Sequence, residues 1–163
     1  MAKETKKTKE EKKEETTYVY GEMNSMEEIN AKANELKAAG DKDGVLELAK
    51  ENGIDKDLAD MYMQGYTVQL CPDLMTAAAG KLDVEISRLE TKNSEVGAGI
   101  ADYLKQKAME DDEIAIAIRK KGKSLKEICD KAWSEANKRR KGNCAYIPPF
   151  EVFQMARAYY LED

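Results

Sequence analysis

The run Glu110-Asp111-Asp112-Glu113 sets four carboxylates in succession. Carboxylates are the donor type that holds Mg²⁺, yet neighbouring residues fan out around a helix and only pairs three or four apart share a face. Two other readings stand beside a metal: acids that open a helix by facing its exposed N–H groups, and an acidic surface that imitates nucleic-acid phosphates for a basic partner. The opposite charge gathers in two groups, Arg119, Lys120, Lys121 and Lys123, then Lys138, Arg139, Arg140 and Lys141. Cations of this kind complement the orphan carbonyls at helix C-termini, face an acidic protein surface or, if the fold sets the groups side by side, touch a polyanion such as DNA. A helix of about 16 residues between them would hold its ends ~24 Å apart, so the preceding helix would have to fold alongside.

Cys71, Cys129 and Cys144 are an odd set without a C-x-x-C pair, which suggests neither a disulfide framework nor a zinc site and fits a reducing cytoplasm. There is no histidine. That removes the Ser-His-Asp and Cys-His constellations and the usual general base near neutrality. No phosphate-cradling glycine loop is present either. The expectation is a protein that is not an enzyme, with no metal and no cofactor.

The elements that must position these groups are helical. At 163 residues the chain can bury a sizeable core, and its charged fraction of 36% gives a heavily solvated surface. Met1 to Glu15 is charge and threonine without an apolar h-region, and the longest apolar run, Ile114 to Ile118, falls far short of the ~20 residues of a membrane helix. Neither secretion nor a membrane span is expected. Ser25 with Glu28, and Ser124 with Glu127, have capping-box spacing. Apolar stripes at helical intervals follow both, and no period-two run of β-branched residues occurs.

The fold class is therefore all-α, with about eight or nine short helices in two packed units and a disordered charged N-terminal tail. The tail is placed at 1–20, an N-terminal helical unit at 21–93 and a C-terminal helical domain at 94–163. Gly80 is read as the end of one helix and Thr91 to Gly99 as the boundary between units. Ile128 and Trp133 are expected as core anchors, and one of Tyr159 and Tyr160 is expected to be exposed. The net charge of −5 divides unevenly: between Arg119 and Lys141 ten basic residues meet three acids, a balance of +7 that leaves −12 elsewhere.

Lys121-Gly122-Lys123-Ser124-Leu125-Lys126-Glu127-Ile128-Cys129, then Ala132 and Glu135-Ala136, then Glu151-Val152-Phe153, Met155-Ala156 and Tyr159-Tyr160-Leu161-Glu162-Asp163, resemble the PcfK-like family over residues 97–163. Pro148-Pro149-Phe150 departs from the acids that this family often carries before its Val-Phe pair. Leu48 to Asp55 looks like an extension found in members that inhibit nucleases. The resemblance implies a protein of a phage or a mobile element in a bacterial cytoplasm: a non-enzymatic anti-CRISPR protein that binds and inhibits a type II RNA-guided DNA nuclease. Its partner surface would be Glu110, Asp111, Asp112 and Glu113. The alternative is a DNA-associated accessory protein of a conjugative element, contacting nucleic acid through the two basic groups. The family supplies no catalytic motif.

Overall fold

The computed structural model describes residues 18–162 and contains, among them, eight helices and no strand. In chain order these are α1 (Met26–Ala38), α2 (Lys42–Glu51), α3 (Lys56–Met63), α4 (Leu74–Arg88), α5 (Thr91–Glu110), α6 (Asp112–Arg119), α7 (Leu125–Lys138) and α8 (Pro149–Leu161). The fold class is all-α, as the stripes and caps imply. Most of the expected tail, residues 1–17, lies outside the described residues. Its last three, Tyr18 to Tyr20, are docked: the Val19 and Tyr20 amides donate to the Glu51 carboxylate, and the Tyr18 ring lies 4.1 Å from the Arg88 guanidinium. Of the three, Tyr20 packs partly buried against apolar side chains of the fold, while Tyr18 and Val19 stay exposed.

Short polar side chains start six of the helices. Ser25 accepts from the Glu28 amide at 3.2 Å, Asp41 from Gly44 at 2.8 Å, Asp73 from Thr76 at 2.6 Å and Ser124 from Glu127 at 3.2 Å. Asp55 and Asp111 cap α3 and α6 in the same way. Each such cap stabilises its helix by about 1 kcal/mol.

Two glycines read as breakers sit inside helices. Gly80 is in the middle of α4, because the turn after α2 crosses it so closely that a Cβ on Gly80 would strike the Asn52 carbonyl, and a Cβ on Gly53 would strike the Gly80 backbone. Gly97 lies in α5, whose first half occupies the expected linker at Thr91 to Gly99; a Cβ there would strike the Leu89 side chain and stand 3.5 Å from the Cys129 sulfur. At Gly80 a close approach of backbone requires the glycine, whereas at Gly97 the obstacle is the end of a side chain; both helices continue through.

Two apolar cores meet on α4. Ala77 belongs to the first, with Ile29, Leu48, Tyr62 and Leu70; Ala78 and Leu82 belong to the second, with Ile100, Leu104, Ile118 and Ile128. Buried Asn30 closes the first core by exchanging hydrogen bonds with the Cys71 backbone at 2.8 and 2.9 Å. The second core is built from α4 to α8, so it begins before residue 94. Ile128 is 1% exposed and anchors it, whereas Trp133 is 40% exposed. Five positions along a helix turn about 500°, which leaves the two side chains about 140° apart. Tyr159 and Tyr160 are both buried, packed edge to face with ring centres 5.0 Å apart. Tyr160 enters the core, while the Tyr159 hydroxyl accepts from the Ser124 amide and donates to Glu127, each at 2.8 Å. Among the described residues no helix is long and apolar enough to cross a membrane.

Candidate functional site

A polar cleft of about 210 Å³ opens where the segment 18–24, the end of α2, α4 and the α6–α7 turn converge. Two cations are sunk in its wall, Lys81 at 5% and Arg119 at 4% exposure. The Lys81 ammonium donates to the Lys120 carbonyl at 2.7 Å and pairs with Glu22 at 3.2 Å. Arg119 donates to the Asn52 side-chain oxygen and, at 3.4 Å, to the Ala77 carbonyl, while its Nε has no partner among the described residues. Glu85, one turn beyond Lys81, accepts from the Leu125 amide at 3.2 Å. Burial pushes the Glu85 carboxyl up to about 7 against the pull of Lys81, and burial lowers Lys81 against the pull of Glu85 and Glu22. The arrangement ties four chain segments through charge. Nothing local in the sequence announces it, because Glu22, Lys81 and Arg119 are far apart in the chain.

One consequence is measurable. A carboxyl whose folded value is raised favours the folded state while protonated, so that stabilisation is complete below its ordinary value of 4.5 and lost as pH climbs towards about 7. Urea unfolding should show stability falling over this window by on the order of 2 kcal/mol, after a discount for partial solvent contact. Glu85→Gln should flatten that slope; an unchanged slope would place the titration elsewhere.

The acidic run divides between structural and open positions. Glu110 ends α5 and pairs with Lys107 at 3.1 Å, and Asp111 caps α6 by accepting from the Glu113 amide at 2.9 Å. Asp112 and Glu113 are exposed in the first turn of α6. One helical turn further stands Ile116, 46% exposed, which with Met26 and Glu27 of α1 lines a small cleft of about 100 Å³. Among the described residues no three His, Cys, Asp or Glu side chains are grouped to hold a metal ion.

The basic residues also divide. Arg119 is buried in the polar cleft and is unavailable to a polyanion. Lys123 donates to the Tyr159 and Glu162 carbonyls at 2.7 and 2.6 Å, closing the C-terminus of α8, as cations at helix ends do. Lys120 and Lys121 are exposed beside the cleft, with the Lys121 amide donating to Asn24 at 2.9 Å. In the second group Lys138 pairs with Glu135 at 3.6 Å, and Arg139 bridges Glu135 and Glu151. Arg140 and Lys141 are exposed and make no ion pair with the described residues. They enter a tight turn in which Lys141 and Cys144 exchange backbone hydrogen bonds at 2.9 and 3.1 Å. Beyond that turn Tyr146, 63% exposed, meets Trp133 across an apolar groove of about 180 Å³. The exposure of Trp133 makes this groove, which the reading of Trp133 as core had hidden.

Burial pushes the thiols of Cys71 and Cys129 up to about 11, so both are neutral and unreactive near pH 7. Cys144 is exposed. No curated protein and no solved structure matches the chain. Residues 91–163, the stretch that opens with the first residue of α5 and contains α5 to α8, match the family described as PcfK-like protein.

Proposed function

We propose that this protein is a non-enzymatic inhibitor encoded by a phage or mobile element, which binds a type II RNA-guided DNA nuclease in the bacterial cytoplasm and holds it inactive at a fixed molar ratio. The observation that carries this reading is the face around Ile116: an apolar side chain, half exposed, flanked by Asp112 and Glu113 on its own helix and by Glu27 across a cleft. An apolar anchor ringed by carboxylates suits a partner whose own surface is basic because it binds nucleic acid. The rest of the N-terminal part adds to the field, since residues 18–73 hold twelve carboxylates against five lysines. The resemblance of the C-terminal residues to a family with such inhibitors supports the choice of nuclease.

In a titration of DNA cleavage against this protein, inhibition should saturate near a fixed ratio to the nuclease. Removing the three charges by Glu27→Gln, Asp112→Asn and Glu113→Gln should weaken it about tenfold and flatten its salt dependence, since a tenfold change is 1.4 kcal/mol. Neutralising Lys138, Arg140 and Lys141 should matter less. Inhibition by catalytic traces, or a larger loss from the basic set than from the acidic one, rejects this mechanism.

A further inference from the structure

The groove between Trp133 and Tyr146 is not used by the inhibitor reading and stands on other elements, α7 and the 139–147 loop. Its side chains are apolar apart from the Tyr146 hydroxyl and the Trp133 indole N–H: Val96 of α5, Ala132 and Ala136 of α7, Ile147 and Val152 complete the walls. The two aromatic side chains are 40% and 63% exposed at its mouth. A groove of this composition offers flat faces and almost no hydrogen-bonding groups.

Charge indicates what covers it. Between residues 131 and 151 five cations stand against two carboxylates, and both carboxylates, Glu135 and Glu151, are held by Arg139. Arg140 lies just past Arg139, the residue that caps the C-terminal end of α7, where the chain leads into the loop bearing Tyr146. The Lys141–Cys144 turn presents Arg140 and Lys141 to solvent together. An acidic peptide would satisfy the cations but would need aromatic residues beside its acids to match the aromatic faces, whereas every nucleotide carries a flat base beside its phosphate. A DNA duplex would satisfy the cations but keep its bases stacked inside.

We infer that this face binds single-stranded DNA, with a base stacked between Trp133 and Tyr146 and the adjoining phosphates on Arg140, Lys141 and Lys138. A base stacked on an aromatic ring needs no edge-specific partner, which fits walls with few donors and acceptors, and the binding is tolerant of sequence. The strand is assigned as DNA because stacking and phosphate contacts read no 2′-hydroxyl, the group by which a protein selects RNA.

The chain has a single tryptophan, so the test reads the site directly. Titrating the full chain with an oligothymidylate should quench Trp133 fluorescence to saturation. Raising the salt should weaken binding with a log–log slope near −2, about −0.7 for each of three phosphates neutralised. With a labelled strand and anisotropy as the readout, Tyr146→Ala and Trp133→Ala should each weaken binding about tenfold, Trp133→Phe should retain most of it, and Arg140→Glu with Lys141→Glu should weaken it and flatten the salt slope. The Trp133→Phe and double-glutamate variants are conservative for folding and stand if Trp133→Ala does not fold. Absence of quenching, a duplex of the same sequence binding as tightly as the single strand, an RNA strand binding more tightly, or Tyr146→Ala binding like the parent would each overturn the assignment. Whether the Glu27, Asp112 and Glu113 substitutions weaken nuclease inhibition bears on none of these outcomes, so the two readings fail separately.

Discussion

Gly80→Ala should lower the stability of the chain by about 3 kcal/mol, while Gly99→Ala should raise it by about 0.5–1 kcal/mol. Both glycines lie inside helices and both exchanges have the same intrinsic benefit, because alanine loses less backbone freedom than glycine on folding. What differs is the space. Nothing lies within 4 Å of a Cβ built on Gly99, whereas one on Gly80 meets the Asn52 carbonyl and the Gly53 backbone. Backbone cannot swing aside as the end of a side chain can, so the turn after α2 must lift off α4, and the Asn52–Arg119 contact lifts with it. Urea unfolding of the two variants beside the parent decides this. A Gly80→Ala protein as stable as the parent would mean that the two helices are not in contact at this point.

The second large effect is an asymmetry at the buried pair. Asn52→Leu should destabilise by about 3–5 kcal/mol, because it strands a guanidinium that is 4% exposed with the Ala77 carbonyl as its remaining close acceptor. Arg119→Met should cost less, about 1–3 kcal/mol, since it removes the charge and leaves the Asn52 oxygen short of a donor. The double variant should therefore be more stable than Asn52→Leu alone, giving a coupling that a double-mutant cycle measures. If Arg119→Met is the costlier single change, the guanidinium contributes net stability and the desolvation argument is wrong.

The caps and stripes that set most helix limits were legible because they are local: a short polar side chain followed three residues on by its partner amide, then apolar residues at turn spacing. Gly80 and Gly97 misled for the same reason. The local rule for glycine is to break a helix, while its use here depends on elements that the chain brings close only after folding. Trp133 was misplaced by spacing, five residues being one too many to share the face of Ile128. Asp112 and Glu113 were visible as acids, but that Asp111 spends its carboxylate on a cap needed the backbone. The polar cleft was invisible, since it assembles groups from the 18–24 segment, α2, α4 and the α6–α7 turn.

The position of α4 bears on how this chain can be divided and inherited. The PcfK-like stretch begins at Thr91, yet the core beneath it includes Ala78 and Leu82, with Leu74, Met75 and Ile86 packed against it, all from the helix before. A fragment cut at residue 91 would expose the side of α5 and α6 that α4 covers. The smallest portable unit of this fold is therefore longer than its recognisable sequence, and a recombination event that moved only the recognisable part would deliver a domain lacking a wall, dependent on its new host chain to supply an apolar helix in the same place.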